Sequence, residues 1–216
     1  MNNYNYFQVN KYPWLVRLWF KEPDPKALEN VGFCGGVLIA SKFVLTAAHC
    51  TRYVNGTYTN RKLWKIYKAE ELYITIGDHN IRETEALTIS IDVEKIERHP
   101  DFNMRYANFG YDIAILTLKE EVNLQQFRPA CMALATDGGR FIGKTITAVG
   151  WGVQGWEDWS PVLDEPNEVN LTVTPDAFCK WSPGLPSIMC LGLDDPVGRT
   201  SKVNSTQSQH LLLTIA

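Results

Sequence analysis

The clearest pattern in this 216-residue chain is the segment VLTAAHC at positions 44–50. An apolar run ends there at a histidine and a cysteine. Farther along, positions 112–116 read DIAIL, and an aspartate precedes a second apolar run. Taken alone, a histidine after a strand is usually structural, and an aspartate before one is usually a turn residue. The two segments indicate a function only when they are considered together with the sequence around them.

The surrounding sequence predicts an all-β protein. Short runs rich in Val, Ile, Leu and aromatic residues recur with turn residues between them, whereas helix signals are few. Positions 89–93 alternate apolar and polar residues, as a half-buried strand does. Positions 113–118 are more continuously apolar, which predicts burial on both faces. Many short strands with few helices favour a sandwich or barrels.

Composition excludes several classes of partner. The chain is 45% hydrophobic and 21% charged, as is ordinary for a globular protein. A net charge of −3 gives no reason to expect nucleic acid as a partner. No apolar run approaches the ~20 residues of a membrane span. The first residues lack the basic start and apolar stretch of a signal peptide, which by itself predicts a cytosolic chain.

The cysteines indicate an oxidising compartment instead. There are five, at Cys34, Cys50, Cys131, Cys179 and Cys190. None belongs to a Cys-x-x-Cys pair, which argues against a zinc ribbon or a thioredoxin-type site. They are scattered along the chain like structural disulfides, which persist in oxidising compartments.

Six motifs occur in a fixed order between about residues 9 and 193. They are FCGGVLI at 33–39, VLTAAHC at 44–50, DIAIL at 112–116, RPAC at 128–131, VGWG at 149–152 and MCLG at 189–192. Together they resemble the chymotrypsin-like (trypsin-like) serine peptidase family. NKYPW at 10–14 and GDHN at 77–80 make the chain similar to arthropod trypsin-like proteases of the clip-domain type.

The resemblance implies a double six-stranded antiparallel β-barrel whose second barrel is incomplete. The N-terminal barrel would span 9–118 and carry His49 and Asp112. A polar linker at 119–129 would lead to a partial C-terminal barrel at 130–193. Positions 194–216 would form a divergent tail, and no strand-and-turn pattern is visible from position 200 onward.

The resemblance also implies roles for His49 and Asp112. His49 would be the general base that takes the serine proton and later protonates the leaving amine. Asp112 would hold the imidazole in the right tautomer and stabilise its charged form. In full-length relatives the substrate would be a protein or peptide.

The same resemblance pairs Cys34 with Cys50 and Cys179 with Cys190. Cys131 is then left unpaired, and two interpretations stay open. It either bridges to a pro-region missing from this chain or is a free thiol. The disulfides and the family together predict a secreted, extracellular protein.

We expect no metal or cofactor, and the resemblance offers one candidate exception, a calcium site. The loop at 78–88 is similar in length to the calcium loop of some trypsins, with Asp78 and Glu85 at carboxylate positions. Thr88 stands where a further carboxylate would be. Because calcium takes six or more oxygen ligands, an acidic, solvated loop is the competing interpretation. We expect no other cofactor.

The family pattern fails at the nucleophile. No Gly-Asp-Ser-Gly-Gly segment is present, and none of the eight serines has a glycine beside it: Ser41, Ser90, Ser160, Ser182, Ser187, Ser201, Ser205 and Ser208. The oxyanion hole, the specificity pocket and the activating Ile/Val N-terminus are also unmatched. Because loss of the serine alone costs about 10⁶ in turnover in subtilisin, we expect no peptidase activity.

Three hypotheses follow from the sequence. In the first, the gene encodes a secreted trypsin-like endopeptidase, and this sequence is a truncated product. In the second, the chain is a pseudoenzyme, a non-catalytic serine-protease homologue that binds partners and regulates a proteolytic cascade. In the third, the chain is a fragment that does not fold stably, because an unclosed barrel exposes strand edges.

Overall fold

The computed structural model describes residues 5–6, 8–21, 34–54, 64–83, 85–103, 110–132, 141–152, 163–175, 190–192 and 211–214. Within these ranges there are thirteen strands, two short 3-10 turns at Ala48–Thr51 and Ala69–Glu71, and no α-helix. Nothing helical in these ranges has the length and apolar character needed to span a bilayer. The strands are β1 (Asn5–Tyr6), β2 (Leu15–Phe20), β3 (Cys34–Ala40), β4 (Phe43–Thr46), β5 (Arg52–Val54), β6 (Trp64–Ile66), β7 (Leu72–Ile76), β8 (Ile89–Arg98), β9 (Ala114–Leu118), β10 (Thr145–Gly150), β11 (Asn167–Thr174), β12 (Cys190–Gly192) and β13 (Leu211–Thr214).

Six strands form a closed antiparallel barrel in the order β2-β3-β4-β9-β8-β7. The barrel closes where β7 pairs with β2, with Ile76 opposite Val16 and Leu72 opposite Phe20. Since successive side chains of a strand point to opposite faces, one face of each strand fills the interior. That interior is built mainly from aliphatic side chains: Val16, Leu18, Leu38, Val44, Leu72, Ile74, Ile76, Ile91, Val93, Leu116 and Leu118.

Strand β9 is buried on one face only. Ala114, Leu116 and Leu118 are buried in the barrel, whereas Ile113 and Ile115 are 42% and 36% exposed. The prediction that positions 113–118 are buried on both faces is therefore wrong. An apolar run does not by itself show how many faces of a strand are buried: β9 pairs with β4 and β8 in the barrel, and the side chain of Ile115 on its outer face is partly exposed.

The segment after β9, predicted to be a linker, packs onto this barrel. The backbone N–H of Val122 donates to Ser41 O at 2.8 Å, and that of Ala130 donates to Leu38 O at 2.8 Å. Val122 and Phe127 are buried among the barrel's core residues. The polar character of the segment reflects its outer face, while these two apolar side chains point inward.

The second unit is a five-stranded antiparallel sheet. Strands β1, β11, β10 and β13 lie in that order, and β12 pairs with the far end of β11. Ile146, Ala148, Val169, Leu171 and Val173 form its own small core. The all-β fold predicted from the sequence, with one complete barrel and one partial one, is confirmed.

The end of the chain contributes a strand to this sheet. Strand β13 pairs with β10, placing Leu211 opposite Gly150 and Thr214 opposite Thr147. The absence of a strand pattern from position 200 onward was therefore misleading for 211–214. The sequence LLLT is apolar without alternation, so periodicity did not distinguish it from an unpaired apolar end.

Polar contacts join the two units beside the barrel loop that follows β7. The indole N–H of Trp151 donates to His79 O at 3.1 Å, and the backbone N–H of Ile81 donates to Asp164 O at 2.9 Å. Arg82 Nε also donates to Asp164 Oδ1 at 2.8 Å. The loop after β7 thus rests against the second sheet.

Candidate active site

His49 lies in the 3-10 turn that follows β4. Ala47 is still extended, and the turn begins with the N–H of Cys50 donating to Ala47 O at 3.1 Å. A disulfide joins Cys50 to Cys34 at the start of β3. The bond that the family resemblance implied is therefore present, and it fixes the turn that carries the histidine against the neighbouring strand.

Asp112 comes to His49 because β9 pairs with β4. Ala114 lies directly opposite Thr46, so the chain before β9 and the chain after β4 leave the barrel at the same place. Opposed residues in an antiparallel pair are only about 4.5–5.5 Å apart. The two motifs singled out in the sequence are thus brought together by one strand pairing.

The carboxylate of Asp112 holds His49 at two points. The backbone N–H of His49 donates to Asp112 Oδ1 at 2.8 Å, and His49 Nδ1 lies 2.6 Å from Asp112 Oδ2. An ionised carboxylate only accepts hydrogen bonds, so Nδ1 carries the proton. In the neutral imidazole, Nε2 is then left with a lone pair that can accept a proton.

Nε2 of His49 faces a sulfur atom. It lies 3.6 Å from Cys50 Sγ, and the ligand atoms of Cys34, His49 and Cys50 all lie within 4.8 Å of one another. This is the only such group of three potential metal ligands in the described ranges. Zinc takes cysteine as the thiolate, and both sulfurs here are bonded to each other. The group is therefore a disulfide beside a histidine.

The structure describes two of the eight serines. Ser41 lies in the turn between β3 and β4, where its carbonyl accepts the N–H of Val122. Ser90 lies in β8 opposite Thr75. Neither is among the hydrogen-bond partners found for His49. The other six lie outside the described residues.

The remaining cysteine predictions are covered only in part. Cys131 is exposed and forms no disulfide within the described ranges. Cys190 opens β12, whereas Cys179 lies outside the described residues, so their pairing stays a prediction.

The loop proposed for calcium is closed by its own hydrogen bonds. The carboxylate of Glu85 accepts the backbone N–H of His79 at 2.6 Å and that of Asn80 at 3.2 Å. Asp78 instead accepts the hydroxyl of Thr75 at 3.3 Å. Both carboxylates are thus engaged by protein donors. Calcium binding here stays a prediction.

A buried arginine that sequence reasoning missed lies behind this loop. Arg17 is 1% exposed, and its guanidinium lies 5.0 Å from the ring centre of Trp19 and 5.1 Å from that of Trp151. Burial lowers the pKa of Arg17 to about 10, an effect that the charge of Asp78 opposes. Burial likewise raises the pKa of Asp78, and the Arg17 charge opposes that shift. The only sequence signal was a single arginine inside the apolar run LVRLWF.

The fold and the histidine–aspartate pair define a class, and comparison with known proteins agrees. A closed six-stranded barrel, a second antiparallel sheet and a His49–Asp112 pair beside a disulfide are the frame of a serine-protease domain of the trypsin type. The family model for trypsin matches residues 3–197. The chain therefore belongs to the trypsin family.

Several relatives are arthropod serine proteases. The chain is 31% identical over 144 residues to serine protease gd of Drosophila melanogaster (65% of this chain, 24% of that protein). It is 32% identical over 180 residues to venom serine protease Bi-VSP of Bombus ignitus (81% and 44%). It is 28% identical over 153 residues to CLIP domain-containing serine protease B15 of Anopheles gambiae (65% and 38%). The chain spans less than half of each of these relatives, and the resemblance to clip-domain-type proteases is confirmed.

Proposed function

We propose that this domain carries the histidine–aspartate half of the machinery of a trypsin-like serine endopeptidase, and that the polypeptide itself does not hydrolyse peptide bonds. One observation supports the first part. The two oxygens of Asp112 accept both the backbone N–H and the Nδ1–H of His49. This arrangement leaves the lone pair of Nε2 as the proton acceptor of a largely buried ring.

The chemistry of this pair is that of a general base. Nε2 of His49 would take the proton of a hydroxyl nucleophile as that oxygen attacks a peptide carbonyl. The imidazole would then be positively charged, and Asp112 at 2.6 Å would stabilise that charge. The same proton would pass to the leaving amine as the peptide bond breaks. His49 would thus end each half-reaction neutral.

The second part of the proposal rests on the missing nucleophile motif. None of the eight serines lies in a Gly-Asp-Ser-Gly-Gly segment. A histidine–aspartate pair without its serine retains little activity, since loss of the serine in subtilisin costs about 10⁶ in turnover. The pair would accordingly have no hydroxyl to activate in this polypeptide.

The location and partner class follow from the same features. The Cys34–Cys50 disulfide is of the kind that persists outside the reducing cytosol, so we assign the domain to an extracellular setting. Protein or peptide chains are the substrate class of the family, and they are the partner class that we propose for this domain.

The test uses a serine-directed fluorophosphonate probe on the purified chain. An active protease of the same family serves as the positive control, and His49→Ala is the matched variant. We expect stoichiometric labelling of the control only, and no cleavage of peptide substrates by the chain above buffer. Labelling of the chain that disappears in His49→Ala would reveal a serine activated by His49 and would refute the proposed inactivity. Labelling that persists in His49→Ala would come from a serine elsewhere and would leave the proposal standing.

A further inference from the structure

The backbone just before Asp112 has an uncommon conformation. Gly110 has φ = 87° and Tyr111 has φ = 56°, both in the left-handed region. Glycine adopts this region readily, whereas an aromatic residue there is an outlier. The N–H of Ile113 donates to Tyr111 O at 2.8 Å, which closes a tight turn with Asp112 at its apex. The direction of the Asp112 side chain therefore depends on a conformation that tyrosine does not favour.

One neighbouring residue holds this turn on both sides of Asp112. The ring of His99 stacks on the ring of Tyr111, with centroids 4.7 Å apart and planes 19° from parallel. The backbone N–H of His99 donates to Ile113 O at 3.0 Å. His99 thus contacts the residue before Asp112 through its side chain and the residue after it through its backbone.

The turn also packs against the segment that carries His49. Tyr111 lies against a small apolar cluster of Ala48, Phe102 and Ala114. Ala48 directly precedes His49 in the 3-10 turn, and the N–H of Phe102 donates to His99 O at 3.0 Å. The cluster therefore joins the chain on either side of the His49–Asp112 pair. A shift of the Tyr111 ring would therefore change the position of His49 relative to Asp112.

We propose that Tyr111 and His99 are positioning residues for the His49–Asp112 pair. The stacked rings hold Tyr111 in the left-handed region, and this holds the Asp112 carboxylate toward both N–H groups of His49. Backbone strain of this kind persists only where the surrounding structure over-determines it, and it is concentrated at functional sites. The inference rests on the proposed function, in which this pair is the acid–base unit.

The experiment observes the hydrogen bond itself. The proton shared by His49 Nδ1 and Asp112 gives a ¹H NMR resonance far downfield of the amides, and ¹⁵N shifts of the imidazole report its tautomer. Wild-type protein and Tyr111→Phe, which keeps the ring, should both show the downfield proton. Tyr111→Ala and His99→Ala should lose it through exchange with water. Tyr73→Ala is the matched control, because it removes another stacked ring, on Trp19 in the barrel wall, and should leave the resonance unchanged.

Each result is decisive. If Tyr111→Ala and His99→Ala keep the wild-type resonance, the positioning role is refuted and the proposed general-base pair stands. If the wild type lacks the resonance, the pair is not formed, and both proposals fall. Near-UV circular dichroism establishes that each variant is folded. Should Tyr111→Ala fail to fold, His99→Ala alone decides the question, because its side chain is 35% exposed and its loss opens no core cavity.

Discussion

Replacing Phe127 by alanine tests whether the segment at 119–129 is part of the barrel. Sequence reasoning predicts a polar linker there, yet Phe127 is 1% exposed and belongs to the barrel core. Its N–H donates to Asn123 O at 2.9 Å, which curls the segment so that the ring points inward. Phe127→Ala removes the ring and leaves the rest of the segment in place.

The expected loss of stability is large. Truncating a fully buried phenylalanine to alanine costs about 3–5 kcal/mol, because the transfer free energy of the ring is lost and a cavity remains. For a protein of 150–250 residues, each kcal/mol corresponds to about 2–4 °C in Tm. Phe127→Ala should therefore lower the Tm by roughly 6–20 °C.

The assays are thermal unfolding for the Tm and urea unfolding for the free energy, both followed by tryptophan fluorescence, with Leu124→Ala as the matched control. Leu124 is in the same segment but is 41% exposed, so its truncation should change the free energy of unfolding by less than about 0.5 kcal/mol. An unchanged m-value would show that the unfolded state is comparable between variants. If Phe127→Ala loses no more than Leu124→Ala, the segment is a tether, and the structural reasoning about its burial is refuted.

Three further predictions concern stability. Gly77→Ala should lower the Tm more than Gly143→Ala. Both glycines have a left-handed φ, but a Cβ at Gly77 would lie within 3.0 Å of three atoms, whereas one at Gly143 would meet nothing within 4 Å. Equal losses of Tm in the two variants would contradict the clash at Gly77. Joint replacement of Cys34 and Cys50 by serine should lower the free energy of unfolding by about 3 kcal/mol, because the disulfide closes a loop with a sequence separation of 16. A loss under about 1 kcal/mol would contradict this prediction. Burial raises the pKa of Glu168, but hydrogen bonds from Lys11 and Tyr12 outweigh it and lower the pKa below 4.5. Stability should therefore be lost as pH falls through the folded-state pKa, and Glu168→Gln should remove that part of the pH dependence; an unaltered pH profile would contradict it.

Sequence reasoning predicted the class of fold because several of the family motifs coincide with strands. The segments around VLTAAHC and DIAIL correspond to β4 and β9, and both lie in the first barrel. Apolar runs say that a segment is a strand, but not how many of its faces are covered. Ile113, just before β9, and Ile115 within it suggested burial on both faces of the strand, although both side chains are exposed. Which face is covered depends on which other elements pack there, and that information is not local.

The same limit applies to the ends of the first barrel and of the second sheet. Phe127 is one apolar residue in a polar segment, so no periodicity marks it as buried. The strand at 211–214 pairs with β10, which lies more than sixty residues earlier in the chain. Arg17 is buried, which is unusual for a charged residue. Its guanidinium packs against the rings of Trp19 and Trp151, which are distant from each other in the sequence.

For the candidate site, the sequence predicted the residues, and tertiary contacts fix their geometry. His49 and Asp112 are predictable because each ends or precedes a strand in a recognisable motif. Their approach requires the pairing of Thr46 with Ala114, and the direction of the carboxylate requires a left-handed tyrosine at 111. No propensity predicts that conformation, since asparagine or glycine would be the expected residue. The stacking of His99 on Tyr111 explains why a tyrosine occupies this position. In the turn before Asp112, a tertiary contact thus outweighs the local backbone preference of the residue.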